Sequence, residues 1–207
     1  MPAIFFCRGH DSAVIKEVVS LPEQTFFNLP PEKRGKIIEA AIEEFAGHTF
    51  KTASIARIVE AAGIPRGSFY QYFAGLKDLY RYIISVIADR KMEKFSVMLA
   101  EFHSLDTFAK LRKLYRTGIE FAAENPGMAL IGNNFMKESE ELRVEIIGEY
   151  GEKGQDFFRG MLMQGMERGE IDESVDIEVA SFLMFSMNTA LADYYLSRLD
   201  DKGMMQD

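Results

Sequence analysis

Hydrophobic residues recur along this chain at intervals of three and four, the period of a helix packed on one face. The clearest run begins at Pro31, with Ile37, Ile38, Ala41, Ile42 and Phe45 on one side. Its ends are marked. Pro31 suits the first helical position, where the N–H it lacks has no intrahelical partner. Glu32 lies in the first turn, where the helix dipole favours negative charge, and Gly47 is a stop. A short helix follows, with Ser54 as its N-cap and Ile55, Ile58, Val59 and Ala62 as its apolar positions. Gly63 ends it, and Ile64 and Pro65 make a bend. A second short helix is predicted from Arg66 to Phe73, broken by Ala74 and Gly75. Two short helices joined by a tight glycine turn form a helix-turn-helix.

The pattern then predicts a long helix from Lys77 to about Ala100 and another from Leu105 to Asn125. Asn125, Pro126 and Gly127 read as a turn before a helix from Met128 to Lys137. Glu140 to Arg168 reads as one long helix, bent near Gly148, Gly151 and Gly154 and closed by Gly169. Asp176 precedes a last helix from Ile177 to Leu199. No alternation of strand type interrupts this. Residues 1–28 have no strong period beyond a turn or two around Ile15, Val18 and Val19, and are expected to be an extension. The fold class is therefore all-α, with a three-helix unit over residues 29–80 and a helical bundle over 81–207.

Composition narrows the picture only slightly. Hydrophobic residues make up 47% and charged residues 27%, as in an ordinary globular protein. No apolar run approaches the roughly 18 residues of a membrane span. The apolar stretch from Ala3 to Phe6 lacks a basic leader and is too short for a signal segment. The single cysteine, Cys7, has no internal disulfide partner, so a reducing cytoplasm is expected. The net charge of −8 argues against coating nucleic acid by charge alone. Its distribution is uneven: cations exceed carboxylates by 2 between Pro31 and Arg81, whereas carboxylates exceed cations by 9 over residues 82–207. Catalytic and cofactor motifs are missing. His10, His48 and His103 have no metal spacing, and there is no P-loop, dinucleotide fingerprint or G-x-S-x-G. Neither enzymatic activity nor a cofactor is expected.

The segment from Ser54 to Tyr80 resembles the signature region of the TetR family of transcriptional regulators. Ser54, Ile55, Ile58, Ala62, Gly63, Ile64, Gly67, Ser68, Phe69, Tyr70, Tyr72, Phe73 and Lys77 fall in step with that pattern, and Ile37, Ile38, Ala41 and Phe45 match the family's first helix. Pro65 departs from it by replacing a serine-like cap, and Val59 by replacing a common alanine. The resemblance implies an N-terminal helix-turn-helix DNA-binding domain and a C-terminal ligand-binding and dimerisation domain. It also implies a ligand-responsive repressor released from operator DNA by a small molecule. The alternative on the same scaffold is an activator or global regulator without an effector.

Phe69 and Phe73 lie four apart and should face the core of the head. Arg66, Ser68, Gln71 and Tyr72 are offset from them and are expected at the major groove, with Arg66 the best candidate for reading guanine. Gly67 lets the helix start approach the backbone. The resemblance places the Tyr70 and Tyr72 hydroxyls near phosphates, Lys77 at a phosphate at the start of the long helix, and Thr52 and Ser54 similarly at the second helix. A single recognition helix contacts few bases, so a homodimer on double-stranded operator DNA is expected. The last helix is apolar nearly all round and needs cover on two sides. Leu183, Met184, Met187, Leu191 and Tyr194, with Met161 and Gly165 from the preceding helix, are the expected interface. A small, largely apolar ligand is expected among Tyr115, Ile119, Met128, Asn133, Asn134, Phe135, Phe158 and Met161.

Overall fold

The computed structural model describes residues 22–147 and 153–203, and the regular structure among them is all helical. In chain order the helices are α1 (Gln24–Phe27), α2 (Pro31–Gly47), α3 (Ile55–Ala61), α4 (Arg66–Phe69) and α5 (Leu76–Ala100). After a 3-10 turn at Phe102–Ser104 come α6 (Thr107–Glu124), α7 (Pro126–Lys137), α8 (Glu140–Ile147), α9 (Lys153–Glu167) and α10 (Ile177–Gly203). No described helix is long and apolar enough to cross a membrane. The expectations for Cys7, His10 and the rest of residues 1–21, and those for Gly148 and Gly151, lie outside the described residues.

The expected helix ends hold at several points. Pro31 occupies the first turn of α2. The Ser54 hydroxyl accepts from the Ala56 N–H at 3.2 Å. Gly63 ends α3 with φ +64°, and the N–H of Ile64 reaches back to the Val59 carbonyl at 3.0 Å. That left-handed stop is one a Cβ would strain.

Several boundaries differ from expectation for local reasons. The recognition helix is α-helical only through Phe69; beyond it the bonds tighten, with the Gln71 N–H on the Ser68 carbonyl at 3.1 Å and the Tyr72 N–H on the Phe69 carbonyl at 3.0 Å. α6 begins two residues later than expected because Asp106 caps it, accepting from the Ala109 N–H at 2.7 Å. α7 begins at Pro126, whose ring fits a first helical position, so the expected turn is a single residue, Asn125. Of the helix expected over 140–168, Glu140–Ile147 and Lys153–Glu167 are described, as α8 and α9, and α10 runs on past Leu199.

Two hydrophobic clusters organise the molecule. The first joins α1 to α5 around Phe26, Phe45, Phe69, Phe73 and Tyr80, and takes in Ile131 and Phe135 of α7 and Ile146 of α8. The core therefore runs across the boundary expected near residue 80. Tyr80 carries it across: its ring lies 4.8 Å from Phe45, 5.1 Å from Phe50 and 6.1 Å from Phe135. The second cluster lies farther along α5 and contains Phe95, Met98, Leu111, Leu114, Phe158 and Met161, with Met184 and Phe185 against it.

Candidate nucleic-acid interface

The helix-turn-helix is held from beneath by groups that periodicity alone does not reveal. Glu44 of α2 is buried, and its carboxylate accepts from the Ser54 N–H at 2.7 Å and from Arg57 Nε at 2.9 and 3.0 Å. Arg57 also donates to the Thr52 carbonyl at 2.8 Å. The Arg57 guanidinium holds the Glu44 carboxyl below its ordinary pKa. The turn carrying Thr52 and Ser54 is thus pinned to α2 by a charge-assisted network. One signal was available: Glu44 lies seven residues after Ile37 and three after Ala41, in the apolar phase of α2.

The far end of the recognition helix is clamped by α1. The Thr25 hydroxyl donates to the Gln71 carbonyl, and the Glu23 N–H to the Tyr72 carbonyl at 2.9 Å. These carbonyls have no helical donors because the chain turns away at Ala74. Phe26 is fully buried, 4.9 Å from the Phe73 ring and 5.3 Å from that of Tyr82. Residues 23–28, expected in the extension, are therefore part of the head.

Arg66, Gly67, Tyr70 and Gln71 are exposed together on α4 and the turn after it, with Ser68 half-buried beside them. Thr52 is exposed and Ser54 half-buried at the start of α3. Phe69 and Phe73 face inward and are fully buried. Tyr72 departs from expectation: it is only 6% exposed, its ring 6.2 Å from that of Phe26, so it packs in the head rather than facing outward. Tyr70, at 51% exposure, is the open tyrosine. Lys77 is exposed at the start of α5, and its ammonium bonds both carboxylate oxygens of Glu145 at 2.9 and 3.0 Å.

The residues expected to line one ligand site are divided. Met128 and Phe135 pack in the first cluster, and Phe158 and Met161 in the second with Tyr115 against it. Tyr115 donates to the Met184 carbonyl at 3.3 Å, Ile119 is exposed, Asn133 is buried and Asn134 half-buried. Between the clusters lies a group not anticipated from the sequence. Lys91 of α5 is 2% exposed, its ammonium 5.7 Å from the Phe95 ring centre and 5.8 Å from that of Phe121. Burial draws its pKa down to about 7. On the outer side of α6 a groove of about 450 Å³ is lined by Arg112, Lys113 and Arg116 among others. Among the described residues no group of His, Cys, Asp and Glu is arranged to hold a metal ion.

The expected interface residues also separate. Met161 is buried in the second cluster. A Cβ on Gly165 would lie 2.3 Å from Thr107 Oγ1, so Gly165 serves close packing of α9 on α6 within the chain. Met184 packs inward, and Leu191 is half-buried. Val179, Phe182, Leu183, Met187 and Tyr194 form an exposed apolar stripe along α10.

Comparison with known proteins places these features in a family. The profile of bacterial regulatory proteins of the tetR family matches residues 37–83, and that of the tetracyclin repressor-like C-terminal domain matches residues 104–197. The crystal structure of a TetR family transcriptional regulator from Chloroflexus aurantiacus is 32% identical, covers 89% of this chain and 88% of its own, and has a TM-score of 0.70. The fatty acid metabolism regulator protein of Bacillus subtilis is 28% identical over 160 residues, which are 74% of this chain and 80% of that protein. The structure of the B. subtilis regulator FadR in complex with stearoyl-CoA shares the fold at 20% identity and a TM-score of 0.65, covering 80% of this chain and 88% of that one.

Proposed function

This chain belongs to the tetR family of bacterial regulatory proteins, and from that premise we propose that it is a ligand-responsive repressor gripping operator DNA as a homodimer. The observation that carries this reading is the contrast between an open polar face at Arg66, Tyr70 and Gln71 and the two networks that fix it from behind. Such preorganisation lets side chains meet base edges without first ordering the turn. Arg66 reads a base, Tyr70 and Thr52 meet phosphates, and Ser54 caps the helix between them. The partner subunit covers the α10 stripe, since an apolar surface rimmed by polar residues marks an association site.

The effector is an acyl-coenzyme A thioester. The name of the B. subtilis relative and the stearoyl-CoA of its fold neighbour favour this class. The chemistry of α6 suits it as well. Arg112, Lys113 and Arg116 on its outer side, with Glu120 beside them, offer cations to the phosphates of the coenzyme. Fluorescence anisotropy with duplexes from the region upstream of its own gene tests the proposal. A duplex bound at least a hundredfold more tightly than random DNA, and released by stearoyl-CoA but not by free coenzyme A, is the expected result. Binding no tighter than to random DNA overturns the repressor reading. Specific binding untouched by acyl-CoA of any chain length overturns the effector and favours a regulator without one.

A further inference from the structure

Lys77, which the family resemblance sets at a DNA phosphate, is already paired with the other half of the molecule. Lys77 opens α5, and both oxygens of Glu145 in α8 lie within 3.0 Å of its ammonium. Arg81, one helical turn on, donates to the Glu145 backbone carbonyl at 3.3 Å and lies 4.0 Å from its carboxylate. Lys77 and Glu145 are each about half exposed, so water and phosphate both reach the pair. Phe50 adds a parallel tie, its N–H donating to Glu138 just before α8 at 3.3 Å.

We propose that Glu145 is an affinity-setting residue that competes with the DNA phosphate for Lys77, so that the position of α8 tunes how tightly the head grips DNA. This rests on the reading that the head binds DNA. A carboxylate bonded to Lys77 neutralises the cation and sets a negative charge beside the incoming backbone. Binding must either break the pair or carry the repulsion. In either case fewer counterions are released per head than a free lysine would release. An exposed pair is weak, which suits a contact that must exchange with phosphate. α8 follows α7, whose Phe135 packs on Tyr80, so a shift among these helices makes or breaks the pair.

The test needs no operator, because a phosphate contact is blind to sequence. A 25-base-pair random duplex at low salt serves as probe, and Glu145→Gln is the variant. Glutamine keeps the size and the backbone carbonyl that Arg81 uses. We expect the variant to bind roughly threefold more tightly per head, about tenfold for two heads, with a steeper salt dependence. In a Lys77→Ala background the same change should bring a clearly smaller gain, the part owed to repulsion by the carboxylate alone. Equal or weaker binding by Glu145→Gln, or a gain as large without Lys77 as with it, overturns the proposal. If the wild-type chain does not bind the duplex at all, the DNA-reading function itself falls, and this inference with it.

Discussion

The two clusters of this molecule differ in what they leave outside. Around the first, aromatic rings close on one another from α1 to α5, and the surface left over at Arg66, Tyr70 and Gln71 is polar. Around the second, α10 packs Met184 and Phe185, both half-buried, against the cluster but leaves Leu183 at 58% exposure and Met187 and Tyr194 nearly as open. The head covers its core within one chain; the distal half leaves an apolar face open. Recognition of DNA needs a rigid face, and rigidity comes from a core that is satisfied internally. Assembly needs the opposite, an apolar face whose burial waits for a partner.

The sharpest way to break this comparison is to hollow the head. Phe26→Ala removes a fully buried ring that touches Tyr72, Phe73 and Tyr82, and should destabilise the chain by about 3–5 kcal/mol. Urea unfolding measures it. A loss under about 1 kcal/mol would mean that α1 is not part of the head. The second way is to charge the stripe. Leu183→Glu would bury an unpaired carboxylate in the interface and weaken dimerisation by about 3 kcal/mol. Sedimentation at micromolar concentration should show the wild type as a dimer and the variant shifted to monomer. A monomeric wild type would show that α10 needs no partner.

The smallest effect concerns the seam between the clusters. Lys91 has a folded pKa near 7 against an ordinary 10.5, so above pH 7 the unfolded chain binds the extra proton. This penalises folding fully below pH 7, and the penalty fades as pH climbs towards 10.5. Lys91→Met should therefore stabilise the protein by about 1–3 kcal/mol at pH 7 and show a shrinking advantage as pH rises. Thermal unfolding of both forms between pH 7 and 10 checks it. A destabilised variant at pH 7 would mean that the seam depends on the ammonium.

Which features were legible in the sequence follows the same divide. The helix-turn-helix was readable because Ser54, Gly63 and Pro65 act through local backbone geometry. The inward pair Phe69 and Phe73 follows from spacing alone. Phe26 was not readable, since one aromatic in a segment without period acquires meaning only from the rings that meet it in space. Tyr72 was misjudged for the same reason, because Phe26 covers it. Glu44 and Lys91 each left a trace, a charge in the apolar phase of a helix, but the phase does not name the partner. Met161 and Gly165 read as interface positions in the sequence because apolar and small positions look alike whether they face a neighbouring helix or another subunit. The ligand candidates scattered between two clusters because composition says which side chains are soft, not which helices bring them together.

The central claim is that the effector and operator DNA bind the proposed homodimer in mutual opposition. Each must then weaken the other by the same factor, since coupling free energy is reciprocal. Calorimetric titration of stearoyl-CoA into the free dimer, and into the dimer saturated with its upstream duplex, measures that factor directly. The account predicts that DNA weakens acyl-CoA binding by roughly 5- to 150-fold, matching the loss of DNA affinity caused by acyl-CoA. Equal affinity for stearoyl-CoA in the two titrations would contradict it.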